Sequence, residues 1–493
     1  MTTPDDLPRL SRAALARLDP VAQPTAWPGR TGIVHLGVGA FHRAHQAVYT
    51  EDAMAASGDD RWGICGAAPR GRSAVATLRP QDGLYTVLTR DAAGTSARVL
   101  APLREVLHAG QDAAALTARL AAPDTRVVSL TVTEKAYPRT PEGALRTDDP
   151  AIAADLASPG ADGPGSVIGI LVRGLLARAR ADAGPVTVVS CDNIPGNGAV
   201  TARLVAEFAA HLPRPDAALL AAWLPANVRF PSTMVDRIVP APAEADRAEA
   251  AHLLGVADAA AVATEPFRQW VIEDSFAADR PPWERAGALL VPDVVPYERM
   301  KLRLLNGAHS ALAYLGGLAG HETVAEAIAD PALAELVRRL MTEDAAPTLT
   351  GLAGFDLPAY EASLLARFAN PALRHRTAQI AADGSQKIAP RLLAPARDRL
   401  ATGAEPRWLA LAIAAWIRYA THRRTDTGKP LTVDDPLAPT IAEAVTDPGD
   451  AARAVRGMTH FGILDPLLAD LVTEWLSRLI TDGTAATIRT ALR

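Results

Sequence analysis

The chain has 493 residues, 49% of them hydrophobic and 21% charged, a normal balance for globular protein. That length exceeds one ordinary core and sets an expectation of two domains. A formal charge of −5 supplies no general basic field, which sets nucleic acid aside as a partner. Both cysteines, Cys65 and Cys191, sit in apolar strand-like runs and read as buried packing residues rather than ligands or a disulfide. With no basic start leading into an apolar core, and no apolar run of the roughly 20 residues a membrane span needs, a cytoplasmic location and no membrane partner are expected.

In chain order, Gly32–Gly37 reads as a buried strand and Ala40–Ala56 as the helix after it. Further strands are expected at Trp62–Gly66, Leu84–Leu88, Arg126–Val132 and Val186–Ser190, with helices over 111–121, 166–182 and 197–211. Such alternation predicts a parallel, doubly wound sheet with helices on both faces. Ala157–Gly165 is rich in turn residues and predicts a surface loop. A hinge is expected near Arg280-Pro-Pro-Trp283. Beyond it the pattern turns helical, over 298–317, 322–342, 359–367, 405–422, 436–445 and 464–491. The expected domains are therefore 1–285, an α/β dinucleotide-binding unit, and 286–493, a mostly α-helical one.

Gly37-Val-Gly39 follows a strand and opens a helix, where a Rossmann glycine turn belongs. Its first glycine allows the tight turn, its second lets a pyrophosphate approach the backbone, and the amides after it, from Ala40 and Phe41, meet the phosphate charge. His42 stands where a third glycine would fall, so the fingerprint is incomplete. At the end of the second strand, where an acidic residue would take the adenosine ribose, the chain offers Arg70 and Arg72. These suit a 2′-phosphate or are simply solvated loop charges, which leaves NAD and NADP both open.

Lys301-Leu-Arg-Leu-Leu-Asn306-Gly-Ala-His309 is the second informative stretch. On an α-helix, Lys301, Asn306 and His309 fall within an arc of roughly 140°, with Glu298 beside Lys301. A lysine whose pKa is lowered can exchange the proton of a carbinol as hydride leaves. Carboxamides suit the developing oxyanion, and Asn193, at the end of the Val186–Ser190 strand, is placed to supply a second one. Taken singly, Lys301 reads equally as a surface lysine, Asn306-Gly307 as a turn and His309 as a buried structural histidine. His42 and His45 lack companions at ligand spacing, so no metal is expected.

Five ordered motifs carry a resemblance across most of the chain. They are Gly37–His45, Thr131–Tyr137, Ser190–Gly198, Phe230–Pro240 and Lys301–His309. Together they resemble the polyol-specific long-chain dehydrogenases, a family that includes mannitol 2-dehydrogenase and fructuronate reductase. The resemblance implies Lys301 as general acid/base, Asn193 and Asn306 polarising the reacting oxygen, His309 orienting substrate hydroxyls, and Glu298 gating proton exchange. It also implies substrate or cofactor contacts for Asp236, and a reach of Lys387, in Asp383-Gly-Ser-Gln-Lys387, to the distal end of the substrate. Metal independence and a monomeric or weakly associating chain are implied as well. The leading expectation is mannitol–fructose interconversion with NAD. A keto-uronate reductase using Lys387 or Arg374 for a substrate carboxylate, an arabinitol dehydrogenase, and a non-catalytic dinucleotide sensor remain as alternatives.

Overall fold

Thr31–Leu36 (β1) alternates its side chains between two apolar layers, and every residue of it is buried. Val34 and Leu36 pack with Leu116, Ile168, Leu171 and Leu204 from the helices Ala113–Ala121, Val167–Arg180 and Asn197–Ala210. Ile33 faces the other layer, with Val48, Tyr85 and Trp270. Burial on both faces is what a central parallel strand requires.

The computed structural model describes residues 7–158, 165–373, 375–462 and 464–493. Part of the Ala157–Gly165 turn-rich stretch, and Arg374, lie outside the described residues. The chain forms two compact units that divide between Val295 and Pro296.

In the first unit, β1 pairs with Gly63–Ala68 (β2) on one side and Val127–Leu130 (β6) on the other. Leu103–His108 (β5), Val186–Ser190 (β7) and Val228–Arg229 (β8) complete a six-stranded, wholly parallel sheet in the order β5-β2-β1-β6-β7-β8. The chain winds outward from β1 through β2 to β5, then returns to β6. The strand order therefore switches between β1 and β6, and ligands of open α/β sheets bind at the carboxyl end of such a switch.

The Leu84–Leu88 strand does not join this sheet. It is part of Tyr85–Asp91 (β3), which forms a hairpin with Gly94–Leu100 (β4), and β3 also pairs with Val262–Thr264 (β10). Only two residues separate β3 from β4, too few for a parallel crossover. A third sheet joins Thr233–Asp236 (β9), Gln269–Glu273 (β11) and Leu289–Val291 (β12). Because β12 pairs with β11, the first unit runs past residue 285. Trp283 is no hinge: it is buried against Trp270, ring centroids 4.6 Å apart, and its indole N–H donates to Thr50 Oγ1 at 3.1 Å. The single helix expected over 40–56 is two, Ala40–Ala44 (α1) and Gln46–Ser57 (α2), broken at His45.

The described residues of the second unit contain helices and isolated bridges but no strand. Arg407–His422 is its axis, buried without interruption from Trp408 to Ala420, and the charge within that run, Arg418, is paired with Asp426 at 2.6 Å. Asp344 Oδ2 accepts from the first amides of that helix, Trp408 N at 2.8 Å and Leu409 N at 3.0 Å. The 322–342 and 464–491 stretches are each broken, by Pro331 at a new helix start and by Gly483 at φ +76°. Across 298–317 the chain is continuously helical but not uniformly α: Val295–Met300 passes into a π-helical segment, Lys301–Asn306, and then into the α-helix Gly307–Ala319. No helix among the described residues is long and apolar enough to cross a membrane.

Candidate active site

At the carboxyl end of β1 the two glycines are needed for different reasons. Gly37 has φ +102°, and a Cβ there would stand 2.1 Å from the Thr131 carbonyl oxygen, so the fold itself demands glycine. Gly39 has φ −81°, and a Cβ there would meet nothing nearer than the Gly37 oxygen at 3.7 Å. Packing within the chain leaves that position free for any small residue. What glycine preserves is open space beside the first amides of α1, those of Ala40 and Phe41, which have no partner inside a helix. The cradle fits a pyrophosphate, although α1 spans only five residues and the backbone N–H groups, rather than a long helix dipole, carry the attraction.

His42, at the third-glycine position, is fully buried and stacks on His35 of β1, centroids 3.3 Å apart and rings within 12° of parallel. Strand and helix are spaced by two imidazoles instead of closing on a glycine. His35 also pins the turn: its Nε2 lies 2.9 Å from Thr131 Oγ1 and 3.1 Å from the Gly37 oxygen, and its Nδ1 lies 2.8 Å from Ser129 Oγ. Burial pushes its pKa down to about 3, so the ring is neutral. Arg70 follows the end of β2 with an exposed side chain, and its carbonyl oxygen lies 3.0 Å from His108 Nε2.

The ends of β6 and β7 hold a clamp that the sequence did not reveal. Asp192 Oδ1 accepts from Val132 N at 2.8 Å and Thr133 N at 2.7 Å, while Tyr137 Oη donates to Oδ2 at 2.7 Å. Burial raises the Asp192 pKa, against the pull of these donors. Thr133 is held at φ 68°, ψ 160°, a region essentially restricted to glycine. Asn193 follows Asp192 directly and is exposed at the carboxyl edge of the sheet. The signal was present in Thr131–Tyr137 and Ser190–Asn193, but only the fold shows that the two motifs bond to each other. Asp236 ends β9, buried, on the small third sheet rather than the main one.

In the second unit, the π-helical segment changes how Lys301, Asn306 and His309 line up. Bonding from i to i+5 widens the turn, lowering the step to roughly 80° per residue over 301–306. With ordinary α-helical steps on either side, the three residues and Glu298 fall within roughly 80°, narrower than a plain α-helix allows. One face thus presents an amine, a carboxamide, an imidazole and a carboxylate. Arg303 anchors the segment from behind, donating to the Thr348 carbonyl at 3.2 Å and pairing with Asp398 at 2.6 Å. Asn306-Gly307 is no turn: Gly307 continues the helix, where a Cβ would approach the Arg391 carbonyl to 3.2 Å. His309 packs on Phe368 and His375, centroids 4.6 and 5.5 Å away. Burial, then His375, holds its pKa well below the ordinary value, so it is a neutral donor and acceptor.

Asp383-Gly-Ser-Gln-Lys387 forms a packed corner. A Cβ on Gly384 would reach 2.1 Å from Trp416 Nε1, and Ser385 Oγ donates to Asp435 at 2.6 Å. The Lys387 amine donates to the Ala382 carbonyl at 2.5 Å, and burial lowers its pKa. No group of three His, Cys, Asp or Glu side chains among the described residues is arranged to hold a metal.

Residues 31–285 match the family model of the mannitol dehydrogenase Rossmann domain, and residues 293–478 that of the mannitol dehydrogenase C-terminal domain. The chain belongs to the mannitol dehydrogenase family. It is 44% identical to D-mannonate oxidoreductase of Escherichia coli (strain K12), covering 92% of this chain and 94% of that one. It is 40% identical to mannitol 2-dehydrogenase of Pyrenophora tritici-repentis, covering 87% and 76%. Among solved structures it resembles the Pseudomonas fluorescens mannitol 2-dehydrogenase ternary complex with NAD and D-mannitol. There the TM-score is 0.81 at 36% identity, over 98% of this chain and 99% of that one.

Proposed function

We propose that the protein is an NAD-dependent polyol dehydrogenase that oxidises D-mannitol at carbon 2 to D-fructose. The observation that carries the chemistry is the single face bearing Glu298, Lys301, Asn306 and His309, ordered by the π-helical segment. The likeness to a mannitol 2-dehydrogenase solved with NAD and D-mannitol supports the choice of cofactor and substrate.

NAD, which the Gly37–Phe41 turn would hold, would supply the hydride acceptor. Lys301, as the free amine, takes the hydroxyl proton while Asn193 and Asn306 donate to the oxygen as charge builds on it. Neutral His309 hydrogen-bonds neighbouring hydroxyls without adding charge, and Glu298 returns the lysine's proton to water. The cradle at Gly37, Gly39, Ala40 and Phe41 takes the pyrophosphate, with Arg70 near the adenosine ribose. Asp236 and Lys387 contact the substrate's remaining hydroxyls. Lys301→Ala should lower turnover roughly 10²–10⁴-fold, the usual contribution of a general acid/base, with NADH affinity little changed. Undiminished turnover would remove Lys301 from the mechanism.

A second reading, oxidation of D-mannonate, is favoured by the identity to the Escherichia coli D-mannonate oxidoreductase. A carboxylate substrate calls for a cation at the pocket's end, a task for Lys387. Assaying mannitol, arabinitol and mannonate side by side with NAD and with NADP separates these readings. Activity on mannonate alone would overturn mannitol as the substrate, and dinucleotide binding with no turnover on any of them would favour a sensor.

A further inference from the structure

In the first unit, a hollow of about 400 Å³ opens between α2, the β3–β4 hairpin and the chain around Arg237 and Arg268. It shares no lining residue with the Gly37–Phe41 turn or with the proposed catalytic groups. Its polar lining is Asp52, Thr89, Ser96, Arg98, Arg237 and Arg268, three guanidiniums against one carboxylate. Asp52 is shared, lying 2.9 Å from Arg98 Nη2 and 2.7 Å from Arg268 Nη1. The contact to Arg98 lacks hydrogen-bonding geometry, so a buried guanidinium nitrogen has no acceptor in line.

Arg237 donates to backbone carbonyls, to Glu265 O at 3.1 and 2.9 Å and to Ala44 O. The Glu265 carboxylate stands behind Arg237, bonded to Ile238 N at 2.7 Å, and does not line the hollow. The surplus of positive charge belongs to the lining itself, with the carboxylates of Glu265, Asp236 and Glu51 buried around it rather than facing the hollow. Burial first, and then the neighbouring Arg268, bring the Arg237 pKa down to about 10. Thr89 and Ser96 are direct cross-strand partners, placing two hydroxyls beside the arginines.

We propose that this hollow binds a small dianion, a phosphate monoester or a dicarboxylate, at a site separate from that of the reacting alcohol. Guanidinium forks pair with either oxyanion through parallel N–H bonds. The hollow's size lies within the range of small-molecule pockets. Two negative charges would balance the surplus on its lining, and the hydroxyls would complete the ligand's hydrogen bonds.

The test is calorimetric titration of the full chain at low ionic strength with inorganic phosphate, glucose 6-phosphate and succinate. Each titration is run with and without saturating NADH, so that the turn at Gly37–Phe41 is not mistaken for the site. Saturable binding of one anion per chain is expected. Ser96→Asp, an added negative charge at an exposed position of β4, should weaken it at least tenfold, and Arg98→Gln should act in the same direction. A preference for glucose 6-phosphate or for succinate identifies which oxyanion the site takes. Absence of saturable binding with all three probes, or affinity unchanged in both variants, would overturn the proposal.

Discussion

Thr133 and Asp192 form a balanced pair, and replacing each in turn measures the balance. A β-branched residue at φ 68°, ψ 160° stores about 1–3 kcal/mol of backbone strain. Asp192 offsets it by accepting two adjacent amides and a phenol. Hydrogen bonds to a charged group are worth about 1 kcal/mol more than neutral ones. Asp192→Asn keeps the shape but weakens the two bonds from amides and reverses the third, its Nδ2 donating to Tyr137 Oη, which turns its own proton to Ser190, for a loss of about 3 kcal/mol. Removing the penalty for burying the charge returns part of that, leaving a net loss of about 1–2 kcal/mol. Thr133→Gly should instead stabilise by about 1 kcal/mol, the relieved strain less glycine's greater unfolded-state entropy. In the double variant, glycine should recover much of the asparagine's deficit. Urea unfolding of the four proteins, followed by tryptophan fluorescence, reads the cycle. Asn193 is next in the chain, and with the role proposed for it, steady-state kinetics should show Asp192→Asn lowering kcat by roughly tenfold or more, since small misplacements of a polarising group are costly. Destabilisation by Thr133→Gly of more than about 1 kcal/mol would show that no strain is held there.

The two turn glycines should separate stability from cofactor affinity. Gly39→Ala is expected to fold within about 0.5 kcal/mol of the parent, yet bind NADH at least ~10-fold more weakly, a difference of about 1.4 kcal/mol, as read by nucleotide fluorescence titration. Equal affinity would mean that no phosphate lies against that backbone. Gly37→Ala, driven into the Thr131 carbonyl at positive φ, should lose about 3 kcal/mol or more in thermal or urea unfolding. His35 and His45, both held near pKa 3 chiefly by burial, are neutral when folded and protonate below about 6.5 when unfolded. The unfolded chain thus binds more protons in acid, so stability is full above about pH 6.5 and falls as pH drops toward 3. From pH 7 to 5 the loss is about 2 kcal/mol per ring, and urea titrations showing the same unfolding free energy at both values would contradict it.

Much of the first unit was legible because central parallel strands must be apolar on both faces. β1, β6 and β7 could be found from their side chains alone. The β3 strand has the same apolar character, and its membership of a separate antiparallel sheet is set by the two-residue link to β4, a signal that its own composition does not carry. The break at His45 was hidden because helical periodicity continues through it. Trp283, preceded by two prolines that suggested a hinge, turned inward because Thr50 and Trp270 receive it. In the site, residue types pointed to Lys301, Asn306 and His309, but apolar spacing cannot distinguish a π turn within an α-helix. The role of Asp192 was out of reach for a related reason: its partners are backbone amides some 60 positions away, and main-chain donors leave no mark on a sequence.

The wide turn at Lys301–Asn306 amounts to one surplus residue lodged in an otherwise ordinary helix. Deleting any single residue from it would let the helix knit into uniform α-geometry, without a break and with little disturbance to what precedes it. Everything downstream would then keep its bearing, because four ordinary steps of about 100° turn through the same angle as five widened steps of about 80°, whereas winding all six residues as plain α-helix would swing the imidazole by about a quarter turn off the amine's face. The winding of these six residues, rather than their number, is therefore what holds the four groups on one face, and a single residue removed between Lys301 and Asn306 should leave their alignment and the helix content intact.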